Sequence, residues 1–500
     1  MIERELKLAL PGRFELPALV SPDGVLIAEP LPELRLRATY HDTDDLRLAR
    51  HGVTLRHRTG DPEGSGWTLK LPRPVERRGV VVRDELRFEG EAREIPVEAR
   101  GLVSAWARTA VLKPVATLRT RRRRWALLDG EREVLAETAD DEVSVLEGRR
   151  VVARFRELEV ESASDELDLD LVRDQLLAAG ATAAEPIPKV VRALGSRATA
   201  PPDVQPPILD DQASAAHLVA AVMADGYLRI LRNDVLARLG DDEGVHQLRV
   251  ATRRLRSDLR TFEDLVEPDW RARIEEGLRT YGRRLGRVRD LDVLLERLRR
   301  DAAELVDVLE PVWDEIGRRR TQAHARLISA LAEPGWVELI DLLVEAVQRP
   351  PVEPAAEAPA VELASARALR AWGQLTDGVK ELKPASEDTA YHEVRILTKR
   401  ARYAAEAAAH ALDPKEAAEA RRYADALGAF QDLLGTIQDA AVAIVELEAA
   451  VERNAADTAI VVALGRLVER QAQLAEAARR RVPKTWKDLR RPRMRKWANR

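Results

Sequence analysis

Cysteine is absent from the 500 residues. Disulfides, thiol nucleophiles and cysteine-ligated zinc or iron–sulfur sites are therefore excluded. Aromatic residues are scarce at 4%, which suits long helices rich in alanine, leucine and arginine better than stacked β-sandwiches. No run approaches the ~18 apolar residues of a membrane-spanning helix. The start, Met1-Ile2-Glu3-Arg4-Glu5-Leu6-Lys7, is charged from its third residue and lacks the apolar core of a signal peptide. These absences predict a cytoplasmic chain with no membrane partner. A surplus of one charge is missing too, since 81 Lys+Arg stand against 85 Asp+Glu, a formal net charge of −4. That total would argue against a polyanion ligand, but only the placement of the charges decides. With 33% charged and 45% apolar residues, the composition is that of a globular chain, and its length gives a prior of about three domains.

Residues 1 to about 162 read as short alternating segments. Strands are expected at Glu3–Leu8, Val53–Arg58, Trp67–Leu71, Val80–Phe88, Val115–Arg122, Trp125–Leu128, Glu133–Thr138 and Arg154–Glu161. Turn-forming residues such as Gly60 to Gly66 and Asp129-Gly130 separate them, and helices are expected at Ala99–Val111 and Asp170–Ala179. About eight hairpin-connected strands imply an antiparallel barrel or a strongly curved sheet. Beyond about residue 210 the period is helical. The expected layout is a first domain over 1–195, a Pro-rich linker over 196–210, a helical domain over 211–490 and a basic tail over 483–500. A second Pro-rich segment over 350–359 divides the helical domain into bundles at about 211–349 and 360–482.

Successive side chains of a strand take opposite faces, so Glu3, Glu5 and Lys7 share one face. The same alternation recurs at Arg56 and Arg58, Arg83 and Glu85, Arg119 and Arg121, and Glu157, Glu159 and Glu161, with Lys70 a further strand cation. A solvated outer face would explain any one of these. Inward charges of both signs make sense around a charged ligand, carboxylates suiting a hard divalent cation and Arg/Lys suiting phosphate oxygens. Period alone does not show which face points inward.

Glu3-x-Glu5-x-Lys7 resembles the signature of the CYTH superfamily, the triphosphate tunnel metalloenzymes. The likeness continues in order through Tyr40-His41-Asp42-Thr43, Leu55 to Arg58, Trp67 to Lys70, Arg83-Asp84-Glu85, Thr117 to Arg121, Glu157 to Glu161 and Pro186 to Lys189. The resemblance implies a closed eight-stranded antiparallel tunnel that holds a triphosphate with Mg2+ or Mn2+. Glu3, Glu5, Glu159 and Glu161 would be catalytic metal ligands, with Glu85 and Glu157 as further acidic members. Lys7, Arg56, Arg58, Lys70, Arg83, Arg119, Arg121 and Lys189 would bind phosphate oxygens. Pro188 stands where the family often has serine, so a hydroxyl contact is missing. No histidine is required, and His41 and His57 read as ordinary polar residues.

The helical part carries an internal repeat. Val245-His246-Gln247-Leu248-Arg249 through Arg256 reappears as Tyr391-His392-Glu393-Val394-Arg395 through Arg402, and Leu285 to Asp290 is echoed by Leu434 to Asp439. At about 100° per residue His246, Arg249, Arg253, Arg256 and Arg260 fall within about 80° of arc, and His392, Arg395, Lys399 and Arg402 trace the same arc. Stacked like charges repel, and an anion is their natural compensation. This half resembles the CHAD domain, a helical domain of pseudo-twofold related four-helix bundles whose members bind inorganic polyphosphate. Arg283, Arg284, Arg287 and Arg289 would extend the basic surface. Gln431, Asp432 and Gln438 make the second copy poorer. No recognition helix after a short turn and no aromatics interleaved with the cations are found, which argues against nucleic acid.

The sequence thus reads as an α+β multidomain chain, a β tunnel followed by an all-α domain of two pseudo-symmetric four-helix bundles. The expected function is a metal-dependent triphosphatase or short-chain polyphosphatase whose helical domain grips long-chain polyphosphate, with association to polyphosphate granules. Two alternatives stay open: a non-catalytic polyphosphate-binding granule protein, and a tunnel enzyme acting on nucleoside or thiamine triphosphate.

Overall fold

The computed structural model describes residues 2–21, 24–62, 64–73, 80–164, 167–185, 187–210, 212–383 and 385–498, with backbone alone at Ile2, Glu3, Val80 and Val81. The chain divides into two units, Met1–Asp203 and Val204–Arg500.

Ten strands belong to the first unit: β1 (Ile2–Ala9), β2 (Leu19–Ser21), β3 (Gly24–Asp42), β4 (Thr54–Thr59), β5 (Gly66–Pro72), β6 (Val80–Phe88), β7 (Lys113–Leu128), β8 (Val134–Glu147), β9 (Arg150–Ser162) and β10 (Thr182–Ala183). Eight of them form a closed antiparallel barrel in the order β1-β6-β5-β4-β3-β7-β8-β9, with β9 pairing back onto β1. The two short strands lie outside the ring, β2 on β3 and β10 on β1.

The longest wall strand, β3, was not among the expected strands. Pro30 and Pro32 interrupt its pattern, and Pro cannot donate to a ladder. The ladder between β3 and β7 accommodates them with a register shift between Leu31 and Leu34. Conversely, Val115–Arg122 and Trp125–Leu128 are parts of the single strand β7.

Helices α1 (Arg47–Arg50), α2 (Val97–Leu102), α3 (Ser104–Ala107), α4 (Leu169–Ala178) and α5 (Lys189–Leu194) complete this unit. The expected helix at 99–111 is thus replaced by the shorter α2 and α3. Leu6 and Leu8 of β1 and Leu158 and Val160 of β9 pack with Leu169, Val172 and Leu176 of α4. Leu6 and Leu8 therefore build an apolar core outside the barrel, which leaves Glu5 and Lys7 on its inner face. At α5, Val190 and Val191 cluster with Tyr40, Leu118 and Val143, an apolar layer that sets Lys189 at the start of the helix beside the interior charges. Asp42 is structural, for its carboxylate accepts from the backbone N–H groups of Thr43, Leu48 and Ala49 at 2.7, 2.9 and 2.9 Å.

The second unit is helical: α6 (Ala215–Arg238), α7 (Asp242–Thr261), α8 (Pro268–Ala302), α9 (Glu310–Leu331), α10 (Pro334–Gln348), α11 (Ala360–Glu381), α12 (Asp388–Ala408), α13 (Pro414–Arg453) and α14 (Thr458–Leu489). Asp241, Asp413 and Asp457 cap α7, α13 and α14 by accepting from first-turn N–H groups. Leu294 and Leu298 of α8 and Trp313 and Ile316 of α9 share a core with Leu447 of α13 and Leu464 of α14, so the two runs of helices are packed together. The Pro-rich 350–359 segment is held by backbone bridges, Val266 to Val352 and Ser214 to Pro359. The basic end is also packed: α14 runs through Pro483, Arg495 lies 3.8 Å over the Trp372 ring, and Trp497 is buried.

Candidate functional site

Opposite residues of an antiparallel pair share a face, and this rule carries the inner face from strand to strand. Lys7 stands opposite Glu159, Glu157 opposite Asp141, and Asp141 opposite Arg122. Their side chains meet. Lys7 Nζ donates to Glu159 Oε1 at 2.6 Å and lies 3.3 Å from Glu5 Oε1. Lys189 Nζ reaches three carboxylates, Asp141 at 2.9 Å, Glu157 at 3.0 Å and Glu159 at 2.6 Å. Arg122 makes a two-pronged contact with Asp141 at 2.8 and 2.7 Å and a third bond to Glu159 at 2.8 Å. On the opposite wall Lys70 pairs with Glu85 at 2.9 Å, Arg83 approaches Glu5 at 3.7 Å, and Arg56 donates to the buried Tyr40 hydroxyl at 3.2 Å. Every wall strand thus contributes, and charges of both signs occupy the interior.

Their ionisation follows from this crowding. Burial works against the charged form of Glu159, but Lys189, Lys7 and Arg122 outweigh it and hold its carboxyl well below the usual range. Burial likewise opposes Lys189, yet Glu159, Asp141 and Glu157 raise it well above an ordinary lysine. Glu5 and Asp141 are lowered, and Lys7 is raised, by the same balance. Arg58 is pushed down to about 10, first by burial and then by Arg56 beside it.

Three expectations need correction or restriction. Arg119 and Arg121 are exposed on the outer face, where Arg121 pairs with Glu33 at 2.9 Å. The inner cations of β7 are Arg122 and, two residues on, Arg124, one step out of the expected phase. Arg119 to Arg124 offers cations to both faces, so composition could not choose between them. The signal that could have found Arg122 is the hairpin at Asp129-Gly130, which sets the arginine run opposite Asp140-Asp141-Glu142. Glu161 lies opposite Glu5 in register but is exposed, whereas Glu157 and Glu159 are buried. Glu3 sits in β1 opposite Arg83, and its side chain lies outside the described residues. His41 and His57 pack on Trp67 with centroids at 4.8 and 5.4 Å, apart from the charged interior.

In the helical unit the two predicted stripes face each other. Arg253 of α7 donates to the Tyr403 hydroxyl of α12 at 3.3 Å, and Arg254 pairs with Glu406. Arg249, Arg253, Arg256, Arg283 and Arg287 line one cavity of about 400 Å3 between α7 and α8. Arg260 is exposed and lines a separate cavity with Arg370 and Arg400. Arg249 is not free of acid, since it bonds Asp290 at 2.6 Å and the Gly286 carbonyl at 2.8 Å. Arg402 is paired with Glu406 at 2.8 Å. The repeat extends to packing: a Cβ added at Gly286 would stand 3.4 Å from Arg249 Nη1, and one at Gly435 would stand 3.4 Å from Arg395 Nε. Each glycine lets a guanidinium lie against the next helix. Burial, then Arg289, holds His246 below its ordinary value. His392 Nδ1 is buried without a hydrogen-bond partner.

Family models match at both ends of the chain, the CYTH domain over residues 1–193 and the CHAD domain over 221–448. This is a CYTH–CHAD protein. An uncharacterized protein of Mycobacterium tuberculosis (strain CDC 1551 / Oshkosh) is 30% identical over 498 residues, covering 92% of this chain and 90% of the relative. Among solved structures, the CHAD domain from the plant Ricinus communis is 25% identical with a TM-score of 0.47, covering 57% of this chain and 96% of its own. PptA from Streptomyces chartreusis is 24% identical with a TM-score of 0.47, covering 55% and 99%.

CYTH tunnel enzymes are metal-dependent in general. Among the described residues no group of three or more histidine or acidic side chains is spaced to hold a metal ion. The donors nevertheless fit a hard cation. Glu5 Oε1 and Glu157 Oε1 are buried and held by ion pairs outside hydrogen-bond geometry, with Lys7 at 3.3 Å and Lys189 at 3.0 Å respectively, and the exposed Glu161 stands opposite Glu5.

Proposed function

We propose that the CYTH tunnel hydrolyses a terminal phosphoanhydride of inorganic triphosphate or short polyphosphate with Mg2+ or Mn2+, and that the CHAD region binds long-chain polyphosphate. The observation that carries this reading is the interior of the barrel. Burying ionised groups is costly, and a barrel of this size fills more cheaply with apolar side chains. Lys7, Lys70, Arg83, Arg122 and Lys189 set against Glu5, Asp141, Glu157 and Glu159 instead provide partners for both components of a metal–triphosphate.

A bound divalent cation would supply Lewis-acid neutralisation of charge on the phosphoryl oxygens, held by Glu5, Glu159 and Glu161 together with Glu3. The chain's own cations exchange their carboxylates for phosphate oxygens as the substrate enters, which fixes the chain of phosphoryl groups along the tunnel. Arg122 is suited to this because its fork already spans two carboxylates. Glu159, held ionised against its burial by Lys189, Lys7 and Arg122, acts through its charge. In the CHAD region the paired α7 and α12 stripes form a polyanion track, with Arg249, Arg253, Arg256, Arg283 and Arg287 on one side and His392, Arg395, Lys399 and Arg402 on the other. His246 heads the first stripe.

The test is phosphate release from tripolyphosphate, ATP, thiamine triphosphate and long polyphosphate, with Mg2+ or Mn2+, by the wild-type chain and Glu5→Gln. Tripolyphosphate turnover that is lost in Glu5→Gln is expected. Absence of turnover on every substrate would remove the enzyme reading.

A further inference from the structure

Lys399 occupies an unusual place for a lysine. It is half-buried on α12, one turn beyond Arg395, and no carboxylate pairs with it among the described residues. Arg253 and Arg249 of α7 and Arg395 of its own helix work against its charge, and Asp439 of α13 favours it. Two of these arginines keep unused donors, for Nε of Arg253 and Nε of Arg395 are buried without a hydrogen-bond partner. An ammonium among guanidinium groups gives up its proton readily, and a neutral amine is a nucleophile. Guanidinium N–H groups with no acceptor are a ready seat for a phosphate.

We infer that Lys399 is a modification site, acylated by small acyl phosphates that the surrounding guanidinium groups hold by their phosphate. The amine lone pair attacks the acyl carbonyl carbon and forms the C–N bond of an amide. The bond from that carbon to the bridging oxygen breaks, phosphate departs with the electron pair, and the nitrogen releases one proton to water. Oxidation states do not change, and the acyl phosphate is the only co-reactant. Burial, followed by Arg253, Arg395 and Arg249, pushes the Lys399 amine down to about 7, so near neutrality about half of it is unprotonated. The product carries no charge at that position, so acylation would weaken the hold of the groove on polyanions. The inference uses the anion-binding groove proposed above but does not depend on long-chain polyphosphate being its ligand.

The full-length chain is incubated with acetyl phosphate at pH 7, and acetylation is followed lysine by lysine by peptide mass spectrometry. Lys399 is expected to react at least tenfold faster than the exposed Lys380, Lys415 and Lys484. That preference should shrink to a few-fold with an N-hydroxysuccinimide acetate, which has no phosphate to seat. Arg395→Gln should lower the preference with both reagents, because this guanidinium also helps to depress the amine, and lower it further with acetyl phosphate, which loses a seat for its phosphate. Equal rates at all four lysines, or equal preference with both reagents, would overturn the inference. Polyphosphate binding by the unmodified chain, measured in parallel, reports separately on the proposed ligand. Its failure leaves the labelling result standing.

Discussion

Removal of Lys189 is the sharpest perturbation of the tunnel, because one ammonium compensates three carboxylates within 3.0 Å. In Lys189→Met the apolar stem remains and the charge goes. Glu159 keeps Lys7 and Arg122, and Asp141 keeps Arg122, but Glu157 is left with Arg192 at 3.2 Å. Breaking a buried ion pair by deleting one partner costs about 3–5 kcal/mol, and the remaining cations place this case near the lower end, about 3 kcal/mol. At about 1.4 kcal/mol per decade, that is roughly a 100-fold loss of protection. Hydrogen exchange of peptides from β7 to β9 in the full-length chain measures it without confusion from the helical unit.

The pH dependence distinguishes charge from packing. In the wild type, Glu159 and Asp141 have lowered folded-state values, so their contribution is present above the unfolded carboxylate range and is lost as pH falls through the folded values. Lys189 itself is raised, and its contribution is present below the ordinary lysine value. Without Lys189 the desolvation of the two carboxylates meets less opposition, and their folded values move up. The deficit of the variant should therefore be largest at pH 8 and shrink toward pH 5 as the acids take up protons. A deficit equal at both pH values would refute the electrostatic argument and assign the loss to packing.

Other expectations follow from the same geometry. Arg122→Ala should lower kcat/KM for tripolyphosphate by at least 100-fold, whereas Arg121→Ala, on the outer face, should stay within about twofold in the same assay. Arg249→Glu with Arg395→Glu should weaken polyphosphate binding and flatten its salt dependence; an unchanged isotherm would remove the stripes from the site. Polyphosphate affinity should rise by less than about tenfold as pH falls from 8 to 6, because an anion favours the protonated Lys399, and Lys399→Arg should flatten this slope in a calorimetric titration. Gly226→Ala places a Cβ 2.2 Å from Leu255 Cδ2. Overpacking of about 1–3 kcal/mol outweighs the helix-propensity gain of about 1 kcal/mol, so the melting point of the helical unit should fall by a few degrees and recover partly with Leu255→Ala.

The strand count of the barrel was legible, but two errors cancelled within it. Counting β7 as two segments replaced β3, whose two prolines hide a long strand that pairs across a bulge. Residue types in the tunnel were legible as well, because β1, β4 and β9 each alternate cleanly. The phase of β7 was not, since Arg119 to Arg124 presents cations to both faces and only pairing with β8 selects Arg122. Asp141 escaped notice for the same reason, lying within three successive acids. In the helical unit the repeat exposed both stripes. Their mutual approach, and the Asp290 of α8 that tempers Arg249, come from different helices and leave no local pattern, whereas Glu406 stands one turn from Arg402 on α12 itself and was legible as an i,i+4 pair.

The barrel closes between the first strand of the chain and the last strand of its wall, so Lys7 finds Glu159 across 152 residues of sequence. During synthesis β1 is made before β6 and β9 and must wait for them before either of these ladders can form. A strand held open for that long is exposed to pairing with other chains. The charges of Glu3, Arg4, Glu5 and Lys7, spaced through β1, discourage such pairing while the strand waits. Glu5 and Lys7 would thus serve twice, first as guards against aggregation of the nascent chain and later as part of the tunnel lining.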